Sequence, residues 1–258
     1  GPTRGGMDLF TLYGAFRTDA MINGLEFWRL VTFQFLHAGF MHIFMNMLGL
    51  YVFGPFVESY LGRTRYLALY LTSGICGAAM YMLLSLGGYV AQTNGVHLPL
   101  LVYDSVKSPL VGASAGVFGV VMAAAYVVPN QMLQLMFPPV PIRVKTMAYV
   151  YLGLAMANLF FGGHNQGGDA AHVGGAIAGF ILIRRAHLLR DFFDVFSDSR
   201  KPKREAKRAK AKDSARAARD AEIDAVLAKV RNEGLSSLTN REKRILQDAT
   251  EAQRKDVG

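Results

Sequence analysis

PLVGASAGVFGVVMAAAYVVPN, residues 109–130, holds no Asp, Glu, Lys or Arg, and Pro129 and Asn130 close it as a turn. It is long enough to cross a bilayer as a helix, which takes about 20 mainly apolar residues. Near its start stands Ser114, between Gly112, Ala113, Ala115 and Gly116. Working outward, four more stretches have the same apolar character: 37–57, ending at Glu58; 66–86; 145–161, ending at Gly162 and Gly163; and 170–183, between Asp169 and Arg184. The last is short, but flanking arginines can snorkel to the interface. The expectation is an all-α, polytopic bundle with five spans in view.

Composition points the same way. Hydrophobic residues make up 52% of the 258 and charged residues 18%, below the ~25% charge of a soluble domain. Much of the net charge of +9 lies in one place, because residues 200–219 carry ten Lys or Arg against Glu205 and Asp213. A basic segment beside a membrane region marks the cytoplasmic side. Nucleic-acid binding is not expected, since that run lacks interleaved aromatics and the rest of the chain is membrane-like. Cys76 is the only cysteine, so neither an intrachain disulfide nor a cysteine metal site can form. No HExxH occurs, and His37 and His42 are five apart rather than four. No glycine-rich nucleotide loop is present either, so no metal and no cofactor is expected.

Loop charges orient the bundle. Arg63 and Arg65, then Arg143 and Lys145, then Arg184, Arg185 and the tail fall on one side by simple alternation. The segment before His37, the loop 87–108 and residues 162–169 fall on the other, with few basic residues. The positive-inside rule puts the first set in the cytoplasm. The domain reading is then 1–36 as an outer loop region, 37–186 as the transmembrane core, 187–219 as a basic cytoplasmic linker and 220–258 as a small soluble helical hairpin. Ile223, Val226, Leu227 and Val230 make one apolar stripe of that hairpin. Thr239 and Glu242 form a capping box opening its second helix, with Ile245 and Leu246 inward.

Spans one, three and five start on the outer side, and their polar residues lie near those starts. His37, His42 and Asn46 belong to the first, Ser114 to the third and His172 to the fifth. At about 1.5 Å per residue, they share one depth. Any one of them alone reads as a hydrogen bond between helices. Together they are a serine with a base and a second His and an Asn able to donate to an oxyanion. The small-residue steps GASAG (112–116) and GAIAG (175–179) let spans three and five approach closely.

At this point the chain resembles the rhomboid family of intramembrane serine proteases, over about residues 16–185. GASAGVFG (112–119) resembles its nucleophile motif. AHVGG (171–175), with Gly179 beyond, resembles its histidine motif. HIFMN (42–46), preceded by His37, resembles its HxxxN motif, and Trp28 and Arg29 its tryptophan–arginine pair. The resemblance implies a serine endopeptidase that cuts transmembrane segments of membrane proteins with a Ser114–His172 dyad and no catalytic carboxylate. His42, Asn46 and the Ser114 backbone N–H would hold the oxyanion. His37, Gly112, Phe118 (in place of a tyrosine under the histidine ring) and Gly175 would support the site.

Asp169 reads as a helix cap rather than a triad member, and Trp28 and Arg29 as interface anchors of the outer loop. The resemblance implies partners in the bilayer and in transmembrane substrates, and a bacterial inner membrane with the tail in the cytoplasm. The family core has six spans. Residues 1–8 are too few and too polar to supply the first, so the sequence is expected to be cut short or to lack a core helix. The rival readings are a catalytically inactive rhomboid-like adapter and a transporter using the polar cluster. Reactivity of the serine with a fluorophosphonate separates the protease from both.

Overall fold

In the computed structural model, which describes residues 3–4, 7–134, 139–190, 192 and 200–256, the chain divides into two units, 1–195 and 196–258. The first opens with two short antiparallel strands, β1 (Thr3–Arg4) and β2 (Met7–Asp8). Three short helices follow: α1 (Leu9–Gly14), α2 (Thr18–Gly24) and α3 (Arg29–Thr32). Then come α4 (Phe40–Leu61), α5 (Arg63–Thr93) and α6 (Ser114–Val127). A small antiparallel hairpin of β3 (Met132–Gln134) and β4 (Pro141–Arg143) leads to α7 (Val144–Phe161) and α8 (Gln166–Arg184). Among the described residues these two hairpins are the only paired strands, so the unit is a helical bundle, as expected.

Helices α4, α5 and α7 are each long and apolar enough to cross a membrane. α6 is apolar but has 14 residues, roughly 21 Å of helix. It starts at Ser114 rather than near Pro109, where the sequence alone allows it to begin. The reason is local. Phe16 and Leu110 exchange backbone hydrogen bonds of 3.0 and 2.8 Å, and the Gly112 N–H donates to the Phe33 carbonyl at 3.0 Å. Gly112 sits at φ 127°, a conformation for which only glycine is suited. The chain at Leu110 and Gly112 is therefore tied down outside helical geometry, and the helix begins only after it. α8 starts earlier than expected, at Gln166, and α5 runs on to Thr93.

α5, α6 and α8 make the centre. A Cβ at Gly175 would collide with the Ala115 carbonyl, and one at Gly179 with the Gly119 backbone. A Cβ on Gly77 of α5 would meet the Ala115 side chain and the Ala171 carbonyl, each at 2.6 Å. Backbones approach this closely only where side chains are absent, and the gain is dispersion contact along the whole crossing. A second cluster, with Phe16, Phe33, Tyr81, Val102 and Leu110, packs under the outer segment. Phe16 meets Phe33 and Tyr81 edge-to-face, with centroids 6.2 and 6.1 Å away.

Arg29 differs from its expected role at the interface. It is only 3% exposed. It pairs with Glu26 and donates to the Ala15 and Leu12 carbonyls at 2.6 and 3.0 Å. A buried guanidinium with its donors used this way is an internal staple, because it ties α1 to α3. Trp28 stays exposed, with its indole N–H on the Tyr13 carbonyl at 3.1 Å.

The second unit is a pair of helices, α9 (Arg200–Glu233) and α10 (Asn240–Asp256). The basic run 200–219 is thus helical, as its Ala, Lys and Arg content favours. The Thr239 N–H and hydroxyl both donate to the Glu242 carboxylate, at 2.7 and 2.8 Å, and the Glu242 N–H returns to the Thr239 hydroxyl at 3.4 Å. That is the expected capping box. Lys229 adds a 3.1 Å ion pair to Glu242 across the hairpin. Of the apolar stripe, Val226 is buried, while Leu227 points outward and is exposed.

Candidate active site

Ser114 is the first residue of α6, so its backbone N–H is among those that a helix leaves without an internal partner. Its hydroxyl lies 2.8 Å from His172 Nε2. The two are 58 residues apart in sequence and meet because α6 and α8 cross at their glycine faces. The imidazole lies flat on Phe118, with ring centroids 4.3 Å apart and planes within 3°. Phe118 is one helical turn after Ser114, so one helix presents both the hydroxyl and the platform beneath its partner.

His42 and Asn46 sit in the first two turns of α4. The Ala38 N–H donates to His42 Nδ1 at 3.3 Å, which leaves Nε2 to carry the proton of the neutral ring. That edge faces the serine loop: a Cβ on Gly112 would stand 2.7 Å from His42 Nε2 and 3.6 Å from Ser114 Oγ. Gly112 therefore keeps open the space between the two. Asn46 is 5% exposed and spends one amide hydrogen on the His42 carbonyl at 2.8 Å. His37 is not on the first span, as expected from sequence, but in the turn before α4, edge-on to His42 at 5.2 Å. Four residues from three helices, His42, Asn46, Ser114 and His172, line one cavity of about 1090 Å³. Val117, Phe118, Met147 and Tyr151 give it an apolar side.

Asp169 is the acid at a helix start that was expected, placed to favour the dipole, but not as the residue that caps it. α8 already begins at Gln166, so Asp169 lies inside its first turn rather than ahead of it. Its Oδ1 is 3.3 Å from His172 Nδ1. Its Oδ2 is buried with no hydrogen-bond partner among the described residues. The i, i+3 spacing of Asp169 and His172 on a helix is the sequence signal that points to this contact. Phe16 and Phe33, which hold the serine loop, carry no such signal, since they act through their backbone carbonyls and amides.

A family model described as the Rhomboid domain matches residues 24–187. The chain belongs to the rhomboid family. The match runs from before α3 to the end of α8 and includes every residue of the cavity named above. The "Putative rhomboid protease YdcA" of Bacillus subtilis is 39% identical over 95 residues, 37% of this chain and 40% of that protein. The "Rhomboid protease AarA" of Providencia stuartii is 31% identical over 185 residues, 69% of this chain and 62% of that protein. The mitochondrial "Rhomboid protein 1" of Saccharomyces cerevisiae is 32% identical over 149 residues, 57% of this chain and 38% of that protein. In each case the match covers less than two thirds of the relative. A second model, a family of unknown function (DUF6576), matches residues 213–251 in the tail. As a rhomboid with apolar helices of spanning length, the chain is a multi-pass membrane protein.

Proposed function

We propose that this rhomboid is an intramembrane serine endopeptidase that cuts transmembrane segments of membrane proteins, with Ser114 as nucleophile and His172 as general base. The observation that carries the reading is the 2.8 Å contact between Ser114 Oγ and His172 Nε2 inside the cavity. Ser114 Oγ attacks the scissile carbonyl carbon as its proton passes to Nε2. The oxyanion so formed meets the His42 Nε2–H, the Asn46 amide and the Ser114 N–H at the positive end of α6. His172 then gives its proton to the leaving amine, the C–N bond breaks and an acyl-enzyme remains. Water, activated by the same histidine, releases the new carboxyl end and restores the serine.

The substrate must reach Ser114 as an extended chain, because a hydrogen-bonded helix hides its carbonyls. Transmembrane segments with helix-destabilising residues near the outer face fit that need. Loop charges favour an orientation with the tail in the cytoplasm.

The test is cleavage of a single-span substrate by the full-length protein in liposomes, beside Ser114→Ala, with fluorophosphonate labelling of both. Cleavage and labelling by the parent, both lost in the variant, support the reading. A folded parent that binds the substrate but neither cuts nor labels would establish an adapter instead.

A further inference from the structure

We infer that Asp169 is a positioning residue for this reaction: its carboxylate fixes which nitrogen of His172 carries the proton, so that Nε2 meets Ser114 as an acceptor. The inference rests on the protease reading above and departs from a dyad that works without a carboxylate.

A neutral imidazole carries one N–H, and only one of its two tautomers can act here. If Nε2 holds the proton it cannot take another from Ser114. If Nδ1 holds it, Nε2 has a free lone pair 2.8 Å from Oγ. An ionised carboxylate can accept a hydrogen bond but cannot donate one. With Asp169 Oδ1 at 3.3 Å from Nδ1, the Nδ1–H tautomer is the one that makes a hydrogen bond. The contact also fixes the flip of the ring. Stacking on Phe118 sets the ring plane, but a half-turn about the Cβ–Cγ bond preserves that plane, and the carboxylate selects the orientation that keeps both nitrogens in use. When the serine proton arrives, the resulting imidazolium lies beside the carboxylate, with both side chains largely shielded from solvent, where such pairs gain strength.

Burial argues against a simple cap. An acid in the first turn of a helix is favourable even when exposed. Asp169 has a side chain only 8% exposed, and its Oδ2 has no hydrogen-bond partner among the described residues. Such burial is costly and brings a cap no advantage. What burial does secure is the line Asp169–His172–Ser114. A carboxylate on the corresponding ring nitrogen does this in soluble serine proteases, where exchanging it for the amide lowers kcat about 10,000-fold through the wrong tautomer. The contact here is longer, so a smaller loss is expected, about 10- to 100-fold.

The decisive comparison uses the full-length protein in liposomes, as parent, Ser114→Ala, Asp169→Ala and Asp169→Asn. It reads kcat per folded protein, KM, the rate of fluorophosphonate labelling and the thermal midpoint. Asparagine has the size of aspartate and preserves packing. Its amide either donates to Nδ1, selecting the wrong tautomer, or accepts without charge. Both variants at position 169 are expected to lose at least about tenfold in kcat and labelling rate, with KM within twofold of the parent. Asp169→Asn retaining kcat within twofold would overturn the inference and leave packing as the role of the residue. A loss confined to KM would overturn it too. A parent that neither cuts nor labels overturns the protease reading and this inference together. An active parent with an equally active Asp169→Asn overturns this inference alone.

Discussion

α6 buries ten of its 14 residues and α8 eleven of its 19, whereas α4 buries five of 22 and α7 four of 18. α6 is as apolar as α4 and α7, so hydropathy does not account for its deeper burial. Residue size does. Glycine and alanine line the crossing of α6 and α8, while Phe40, Phe44 and Tyr51 on α4 and Tyr149, Leu154 and Phe161 on α7 stand exposed on the outside. In a bilayer large apolar side chains lose little by facing lipid, and small ones gain by bringing backbones together. The proposed nucleophile and base lie on the tightly packed pair. The proposed oxyanion donors His42 and Asn46 come from α4, with the cavity between.

The largest effect belongs to the packed pair: Ser114→Ala or His172→Ala should lower kcat for a transmembrane substrate by roughly 10⁴- to 10⁶-fold, either alone nearly as much as both. On α4, Asn46→Ala or His42→Ala should cost about 10²- to 10³-fold in kcat, as loss of one oxyanion donor does. If α4 substitutions matched Ser114→Ala in steady-state cleavage, the two sides would not have different jobs.

Stability sharpens the same comparison. Gly175→Ala puts a Cβ into the Ala115 carbonyl, a backbone atom that cannot step aside, whereas the same change at Gly153 on α7 meets nothing within 4 Å. Gly175→Ala should cost about 1–3 kcal/mol, in the range of overpacked cores, and Gly153→Ala should stay within about 0.5 kcal/mol. Thermal unfolding in one detergent checks both. Equal shifts would mean that α7 is as tightly held as α8.

The smallest effect is expected in the tail, which is held by hydrogen bonds and ion pairs rather than small-residue packing. The Thr239 backbone N–H, the Thr239 hydroxyl and Lys229 hold the Glu242 carboxyl down to about 2. Because the folded value lies below the unfolded one, its contribution is full above about pH 4.5 and fades as pH falls toward 2. Protection of the amides at residues 229–246 of the whole protein, taken as the exchange rate relative to the intrinsic rate at each pH, should therefore fall between pH 5 and pH 3. Glu242→Gln should exchange faster already at pH 5 and change less over that interval. Unchanged exchange in that variant would remove the capping box from the forces holding the hairpin.

Much of the candidate site is legible in the sequence. Ser114, His172, His42 and Asn46 stood out because a polar group in an apolar run must have a partner. The capping box was legible because it is a contact between residues three apart. The start of α6 was not, since a run without charges does not record that Phe16 and Phe33 tie the preceding chain down. Arg29 looked like an interface residue by type, and its burial depends on carbonyls 14 and 17 residues away. Asp169 reads as a cap because helix starts favour acids, and the contact of its carboxylate with the ring shows only in the structure, where α8 already begins at Gln166.

The membrane-crossing character, the loop charges and the few polar side chains that hydrocarbon would not tolerate alone are properties of residue type and local order, and need no fold to be seen. Tertiary structure decided the rest: which glycine faces touch, where Ser114 falls relative to the start of its helix, and which nitrogen of His172 faces which oxygen. Those are distances of about 3 Å between residues as far as 58 positions apart, set by backbone approach and packing that no local pattern encodes.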